Sequence, residues 1–328
     1  MVKFIQPKNL DLFIASAFDI RIKKDLALGA ENFFSLSKKP RYEPIVHNLP
    51  SGKITIEATG GVPIATVFDE DILIYLVSQL VHGKNEYEAG RSKDSISRTI
   101  TFNAYNLWQF QKKNKQGRSY QELWEALERL YNTRIKVELK RTTQIDEDAS
   151  VDEEGDGYIR WLSSITRKTE QMWRTVKDEK TGEKVRKRVN WTTGFQVEIP
   201  ERFFKAVEEN KVITLDDRYF SIKSPLERWM YKFIRKSVGK GNNDNFKYWS
   251  FDQLHAKSAS TNTLTQFKQA IKKLMNKNEM RLFEYTAEYA KSGFASKHHS
   301  GIYFDRSPFV PDKKFKSLLI DATTNKEQ

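Results

Sequence analysis

Two ten-residue stretches decide how this chain reads: Leu123-Trp124-Glu125-Ala126-Leu127-Glu128-Arg129-Leu130-Tyr131-Asn132 and Phe267-Lys268-Gln269-Ala270-Ile271-Lys272-Lys273-Leu274-Met275-Asn276. Apolar residues coincide at Leu123/Phe267, Ala126/Ala270, Leu127/Ile271 and Leu130/Leu274. That spacing lays one apolar stripe along a helix and leaves the opposite face polar. Alternating residues follow each stretch: Ile135, Val137 and Leu139 after the first, and Met280 and Leu282 leading to Tyr285 after the second. Upstream, Leu73-Ile74-Tyr75 corresponds in character to Trp229-Met230-Tyr231.

Working outward, each stretch is preceded by the same approach. Ile100-Thr101-Phe102-Asn103 reads as a short strand running into a helix, with Asn103 as its N-cap. Trp249-Ser250-Phe251-Asp252 repeats it. Each half is therefore expected as helix, short strand, helix, turn, helix and β-hairpin, which is the order of a winged helix. The expected fold class is α+β: two tandem winged-helix (helix-turn-helix) units with an N-terminal arm. The arm takes residues 1–62, the first unit 63–210, the second 211–310, and a C-terminal tail 311–328.

Finer expectations follow from local pattern. A helix starts at Asp69 or Glu70, and the polar stretch from Gly83 to Arg98 ends it. A second helix spans Ser119 to about Asn132. Tyr158 to Ile165 and Gln171 to Val176 read as strands, Lys180-Thr181-Gly182-Glu183-Lys184 as a hairpin tip, and Val189 to Ile199 as the returning strand. Phe203–Glu209, Pro225–Gly239 and Leu264–Asn276 read as helices, the second opening on Pro and closing on Gly. Residues 146–156, with seven carboxylates, read as an exposed loop.

The chain has 328 residues and a formal net charge of +13. Such an excess suits a polyanionic partner, nucleic acid or an anionic membrane, and the 12% aromatic content favours a folded nucleic-acid binder over a basic tail. With no cysteine, disulfides, zinc fingers and thiol catalysis are excluded. The N-terminus lacks a signal-peptide core, and the longest apolar run, Ile72–Val77, is far short of the ~20 residues that span a bilayer. A cytoplasmic protein with no membrane association is expected.

No catalytic constellation is present. Gly239-Lys240-Gly241 lacks the spacing and hydroxyl of a phosphate loop. His298 and His299 have no third ligand in sequence. A non-enzyme without metal or cofactor is expected.

The candidate DNA-binding residues come from helix geometry. In the second unit, Asn262, Thr265, Gln266, Gln269 and Lys273 lie opposite the apolar stripe, flanked by Thr263 and Lys272. Gln and Asn can pair with adenine in the major groove, and Lys can read guanine or contact phosphate. The corresponding face of the first unit carries Arg118, Ser119, Gln121, Glu122 and Glu125. Its glutamates suit cytosine and weaken phosphate contact. Arg186, Lys187 and Arg188, in a hairpin that also carries Lys177, Lys180 and Lys184, are the expected phosphate contacts. For each residue the plain alternative is a solvated polar surface.

Several blocks resemble the plasmid replication initiator protein A family: Asn32-Phe33-Phe34-Ser35-Leu36-Ser37-Lys38-Lys39-Pro40, Val67 to Leu80, Ala126-Leu127-Glu128-Arg129-Leu130, Leu215-Asp216-Asp217-Arg218-Tyr219-Phe220, and Pro225 to Lys236 followed by Gly239. The resemblance runs from about residue 30 to 285. It implies a plasmid initiator that binds directly repeated double-stranded sites (iterons) at an origin, opens the duplex, and recruits the host initiator ATPase and replicative helicase. It also implies binding near its own promoter. The competing reading is a winged-helix transcriptional regulator or autorepressor without initiator activity; a DNA-bridging partition protein is a third. The apolar Leu10, Leu12, Phe13 and Ile14 leave two readings of the arm, homodimerisation or packing on the first unit.

Overall fold

The computed structural model describes residues 12–15, 31–49, 52–113, 119–139, 157–177, 182–238, 246–276, 283, 285–290 and 301–306. The acidic segment 146–156, the hairpin tip at 180–181, Arg118, Met280, Leu282, Gly239 to Gly241, the two adjacent histidines and the tail 311–328 lie outside these residues.

Two runs of elements have the same order once β5 (Thr133–Leu139) and β6 (Gly157–Arg160), which follow α3 in the first, are set aside. The first is α1 (Glu70–Glu88), β4 (Thr99–Phe102), α2 (Ala104–Phe110), α3 (Ser119–Asn132), β7 (Ser164–Lys177) and β8 (Lys184–Glu198). The second is α5 (Pro225–Val238), β10 (Phe246–Ser250), α6 (Phe251–Ser258), α7 (Leu264–Asn276), β11 (Tyr285–Ala290) and β12 (Gly301–Arg306). Their sheets are ordered β4-β8-β7 and β10-β12-β11, so the last strand of each run lies in the middle. The repeat read from two helices thus extends to sheet topology.

Local chemistry explains the element boundaries. Asn103 caps α2 by accepting a hydrogen bond from the Asn106 amide at 2.8 Å. Ser250 and Gln253 form a reciprocal capping box that opens α6. The buried residues of α3 are Leu123, Ala126, Leu127 and Leu130, the stripe expected from their spacing. In α7, Phe267 and Ile271 are buried, with Leu264 and Leu274 half-buried.

Two expectations need correction. Helix α1 does not stop at Gly83 but continues to Glu88. Ile96 folds back so closely that a Cβ on Gly83 would lie 3.1 Å from its Cγ2. The next residue, Lys84, is buried and donates to the Glu208 carbonyl (2.6 Å) and to Asn210 (2.8 Å), which holds the last turns in place. Tyr158–Ile165 is not one strand. It splits into β6 (Gly157–Arg160) and the start of β7, and the crossing between sheets buries Trp161 and Leu162.

The strand expected after α3 from the alternating Ile135, Val137 and Leu139 is present as β5 (Thr133–Leu139). It does not enter the hairpin sheet but pairs with β3 (Gly52–Ala58) and β6, in the order β2-β3-β5-β6, where β2 is Ile45–Leu49. Ile45, Ile56, Ile135 and Ile159 stand opposite one another across all four strands. This apolar ladder selects the partner. The N-terminal segment thus contributes β2 and β3 to this sheet, β3 covering the alternating Ile54–Ala58. Further upstream, β1 (Leu12–Ala15) pairs antiparallel with β9 (Val212–Leu215). Helix α4 (Glu201–Glu208) links β8 to β9.

One continuous apolar core joins both runs, from Phe33 through Tyr75 and Trp229 to Phe304. Tyr75 sits edge-on to Phe102 and Phe110, and Phe110 in turn to Phe220. Each large apolar side chain buried in this way contributes on the order of 1.5–3 kcal/mol.

Candidate nucleic-acid interface

The long hairpin β7–β8 carries Lys184, Arg186, Lys187 and Arg188 close together on β8. Only its base is embedded: Phe195 and Val197 are buried and β4 pairs with residues 195–198, whereas residues 184–193 of β8 are exposed or half-buried. A register shift at Lys168/Thr169 marks the change. Beyond it, nine residues of β7 reach outward for roughly 27 Å.

Alternation along paired strands sorts the hairpin into two faces. Trp173 stands opposite Arg188 and Thr175 opposite Arg186, which puts Trp173, Arg186 and Arg188 on one face with Lys184, Gln171 and Asn190. No carboxylate belongs to that face between Thr169 and Thr175 or between Lys184 and Thr192. Arg186 and Arg188 lie over the Trp173 ring at 5.8 and 5.2 Å, and Trp173 is 54% exposed. The other face carries Glu170, Met172, Arg174, Lys187 and Trp191, with Arg174 stacked on Trp191 at 4.0 Å. The three adjacent cations of the sequence are thus divided two and one.

Helix α3 lies against the base of this hairpin. Trp124 stacks on Phe195 and carries Arg167 at 4.5 Å. Gln121, exposed, is tied at both ends, donating to Glu125 (3.2 Å) and accepting from Arg167 (3.3 Å). Ser119 opens the helix and lines, with Glu122, a cavity of about 380 Å³ whose rim includes Lys38, Lys39, Lys113 and Arg129. The polar side chains of α3 are in this way largely engaged with the protein.

Helix α7 differs. Asn262, Thr263, Thr265, Gln266, Gln269, Lys272 and Lys273 are all exposed. Thr263 and Gln266 form a second reciprocal cap: Gln266 Oε1 accepts from the Thr263 amide (3.0 Å) and Thr263 Oγ1 from the Gln266 amide (3.3 Å). The Asn262 carbonyl is held by His255 at 2.7 Å. Thr265, Gln269 and Lys273 lie on the helix face opposite the buried Phe267 and Ile271, and Asn262 stands in the turn before it. Such a row of amides, hydroxyl and ammonium can donate and accept hydrogen bonds at a polar, anionic surface.

The sequence profile of the replication initiator protein A family matches residues 23–286, most of the chain. The chain belongs to the replication initiator protein A family. A protein of Wigglesworthia glossinidia brevipalpis, named by inference as a replication protein, is 30% identical over 217 residues, 66% of this chain and 68% of that one. Among solved structures, domains 2 and 3 of RctB are similar with a TM-score of 0.59 at 12% identity, covering 90% of this chain and 100% of that one. That likeness concerns the fold alone. Family membership supports a role in replication initiation. No helix among the described residues is long and apolar enough to cross a membrane.

Within this family member, sequence reading missed Trp173, Arg174, Arg167 and Trp191. The signal was available: Trp173-Arg174 on one strand faces Arg188 and Trp191 on the other. Only the register shows which arginine meets which ring.

Proposed function

We propose that this family member is a plasmid replication initiator that binds repeated double-stranded DNA sites at its origin through two winged-helix units. The observation that carries this reading is the repeated order of α1-β4-α2-α3-β7-β8 and α5-β10-α6-α7-β11-β12, with the same sheet order, in an initiator-family chain of charge +13. An α-helix fits the major groove, where each base pair presents a distinct donor and acceptor pattern.

In this reading α7 is the principal reader. Gln269, Asn262, Thr265 and Lys273 meet base edges, and Lys272 and Thr263 meet the flanking phosphates. Gln266 keeps its amide NH2 for DNA, because its oxygen serves the helix cap. Helix α3 contributes fewer contacts, from Ser119, Gln121 and Glu122. Arg186 and Arg188 grip the backbone, with Lys187 on the reverse of the ribbon. The two units dock in successive major grooves, about one helical turn (~10 bp) apart. Binding of several repeats then opens the duplex, and the host initiator ATPase and replicative helicase join without any catalysis by this chain.

A marker plasmid carrying this gene and the adjacent repeats tests the reading. Autonomous replication that needs both supports an initiator. Repeat binding and promoter repression without replication would reassign the same interface to a transcriptional regulator.

A further inference from the structure

The first turn of α1 opens on three consecutive carboxylates, Asp69, Glu70 and Asp71, and all three are buried. Successive helical residues point about 100° apart, so the triad reaches three directions. Asp69 takes a two-pronged grip from Arg129 of α3, at 2.7 and 2.8 Å, and accepts from the Thr66 amide at 2.7 Å. Glu70 pairs with Lys232 of α5. Asp71, fully buried, pairs with Arg228 of α5 and with Lys113 at 3.2 Å. Arg228 is 2% exposed, also donates to the Ile222 carbonyl at 2.8 Å, and lies between Phe68 and Tyr219.

This is an uncommon way to join two units. Buried ion pairs add little net stability compared with apolar side chains of similar volume, but they have direction. An apolar seam can slide and stay buried. Here any slide of α5 along α1 leaves buried charges unpaired. A second set of polar contacts fixes the same unit elsewhere: Asn32 and Arg41 donate to the carbonyls of Ser258 (2.7 Å) and Ala259 (2.9 Å) at the end of α6.

We propose that the Asp69-Glu70-Asp71 triad, through Arg129, Arg228 and Lys232, sets the separation and rotation of the two DNA-reading units and so makes the protein selective for the spacing between half-sites. The proposal rests on the two-unit docking described above. These are positioning residues: none needs to touch DNA. One inserted base pair displaces the distal half-site by ~3.4 Å and rotates it by roughly 35°, a mismatch that a rigid pair of units cannot follow.

The probe is a duplex selected by the wild-type protein from a randomised library of ~30 bp, long enough for two half-sites one turn apart. Affinity is then measured on that duplex and on versions with one or two base pairs inserted between the protected halves. Two variants are compared. Arg228→Lys keeps the charge but loses the planar fork. The pair Asp71→Leu with Arg228→Met keeps a filled, apolar seam without direction. Wild type is expected to lose about tenfold or more per insertion, comparable to a mismatched base pair or worse. A folded variant is expected to lose less than about threefold while binding the parent duplex within about threefold of wild type. A wild-type penalty retained in folded Arg228→Lys overturns the proposal, whether or not the double variant folds. Selection of a single, undivided half-site would instead overturn the two-unit reading beneath it.

Discussion

The division of the hairpin cations between two faces predicts an unequal response to their removal. Arg186 and Arg188 share a face with Trp173, and Lys187 points the other way. A ribbon lying along a DNA backbone presents one face to it. The face without carboxylates is the one expected to do so. Each phosphate contact contributes about 0.9 to the slope of log K against log salt. Replacing Arg186 and Arg188 by Ala should lower that slope by about 1.8, whereas Lys187→Ala should leave it within about 0.3 of wild type. From ~50 to ~200 mM salt, wild type should lose roughly twelvefold more affinity than the double variant.

Fluorescence anisotropy of a labelled repeat duplex, titrated at several salt concentrations, reads both slopes. The exposed segment carries its cations outside the apolar core, so the variants should melt like wild type. Equal slope losses for Lys187→Ala and for either arginine would refute the one-face argument. Unchanged slopes in all variants would remove the hairpin from the interface altogether.

Three other outcomes are expected. Arg228→Met leaves the fully buried Asp71 with Lys113 as its one cationic partner among the described residues, which should cost about 3–5 kcal/mol in urea unfolding; adding Asp71→Leu should recover most of it, and a double variant as unstable as the single would contradict this. Thr263→Ala removes the α7 cap and should cost ~1 kcal/mol, lowering Tm by about 2–4 °C; an unchanged melting curve would count against the cap. Burial alone would raise the Glu31 carboxyl, but hydrogen bonds and charge from His47 and Lys257 hold it below the ordinary range. The stability it contributes is therefore complete above the unfolded carboxylate value of ~4.3 and is lost as pH falls through the lower folded value. Lys257→Met should weaken the protein near neutrality and flatten that acid limb, measured by unfolding at a series of pH values; an acid limb as steep as wild type would speak against the Glu31–Lys257 pairing.

Much of this was legible because it is local. Helix α3 and helix α7 run Ser119–Asn132 and Leu264–Asn276 as their apolar spacing predicted, since burial of one face is what fixes such helices. What failed was set at long range. The end of α1 depends on acceptors more than 120 residues away, at Glu208 and Asn210, that satisfy Lys84. Strand β5 alternates in the same way whichever sheet it joins, and Ile54 and Ile56 of β3 decide the matter. At the site, composition revealed the cations, but their faces depend on the hairpin register. The Thr263/Gln266 cap was readable as a Thr-x-x-Gln spacing and engages the Gln266 side-chain oxygen.

The proposed docking gives the two units unequal parts, and the surroundings of α3 and α7 are the reason for that reading. Helix α3 sits between three fastenings: Arg129 to Asp69, Gln121 to Arg167, and Trp124 to Phe195. Those contacts hold it firmly but occupy side chains that a base-reading helix would keep available. Helix α7 is fastened mainly through Phe267 and Ile271 beneath it and the cap at its start, which leaves Gln269 and Lys273 outward. The unit with the committed helix is also the one with the long cationic hairpin. Under the proposed docking, backbone grip falls to the hairpin of one unit and base reading to the helix of the other. If the units divide grip and reading as proposed, the junction at the acidic triad of α1 decides where the helix of one falls on the duplex relative to the hairpin of the other.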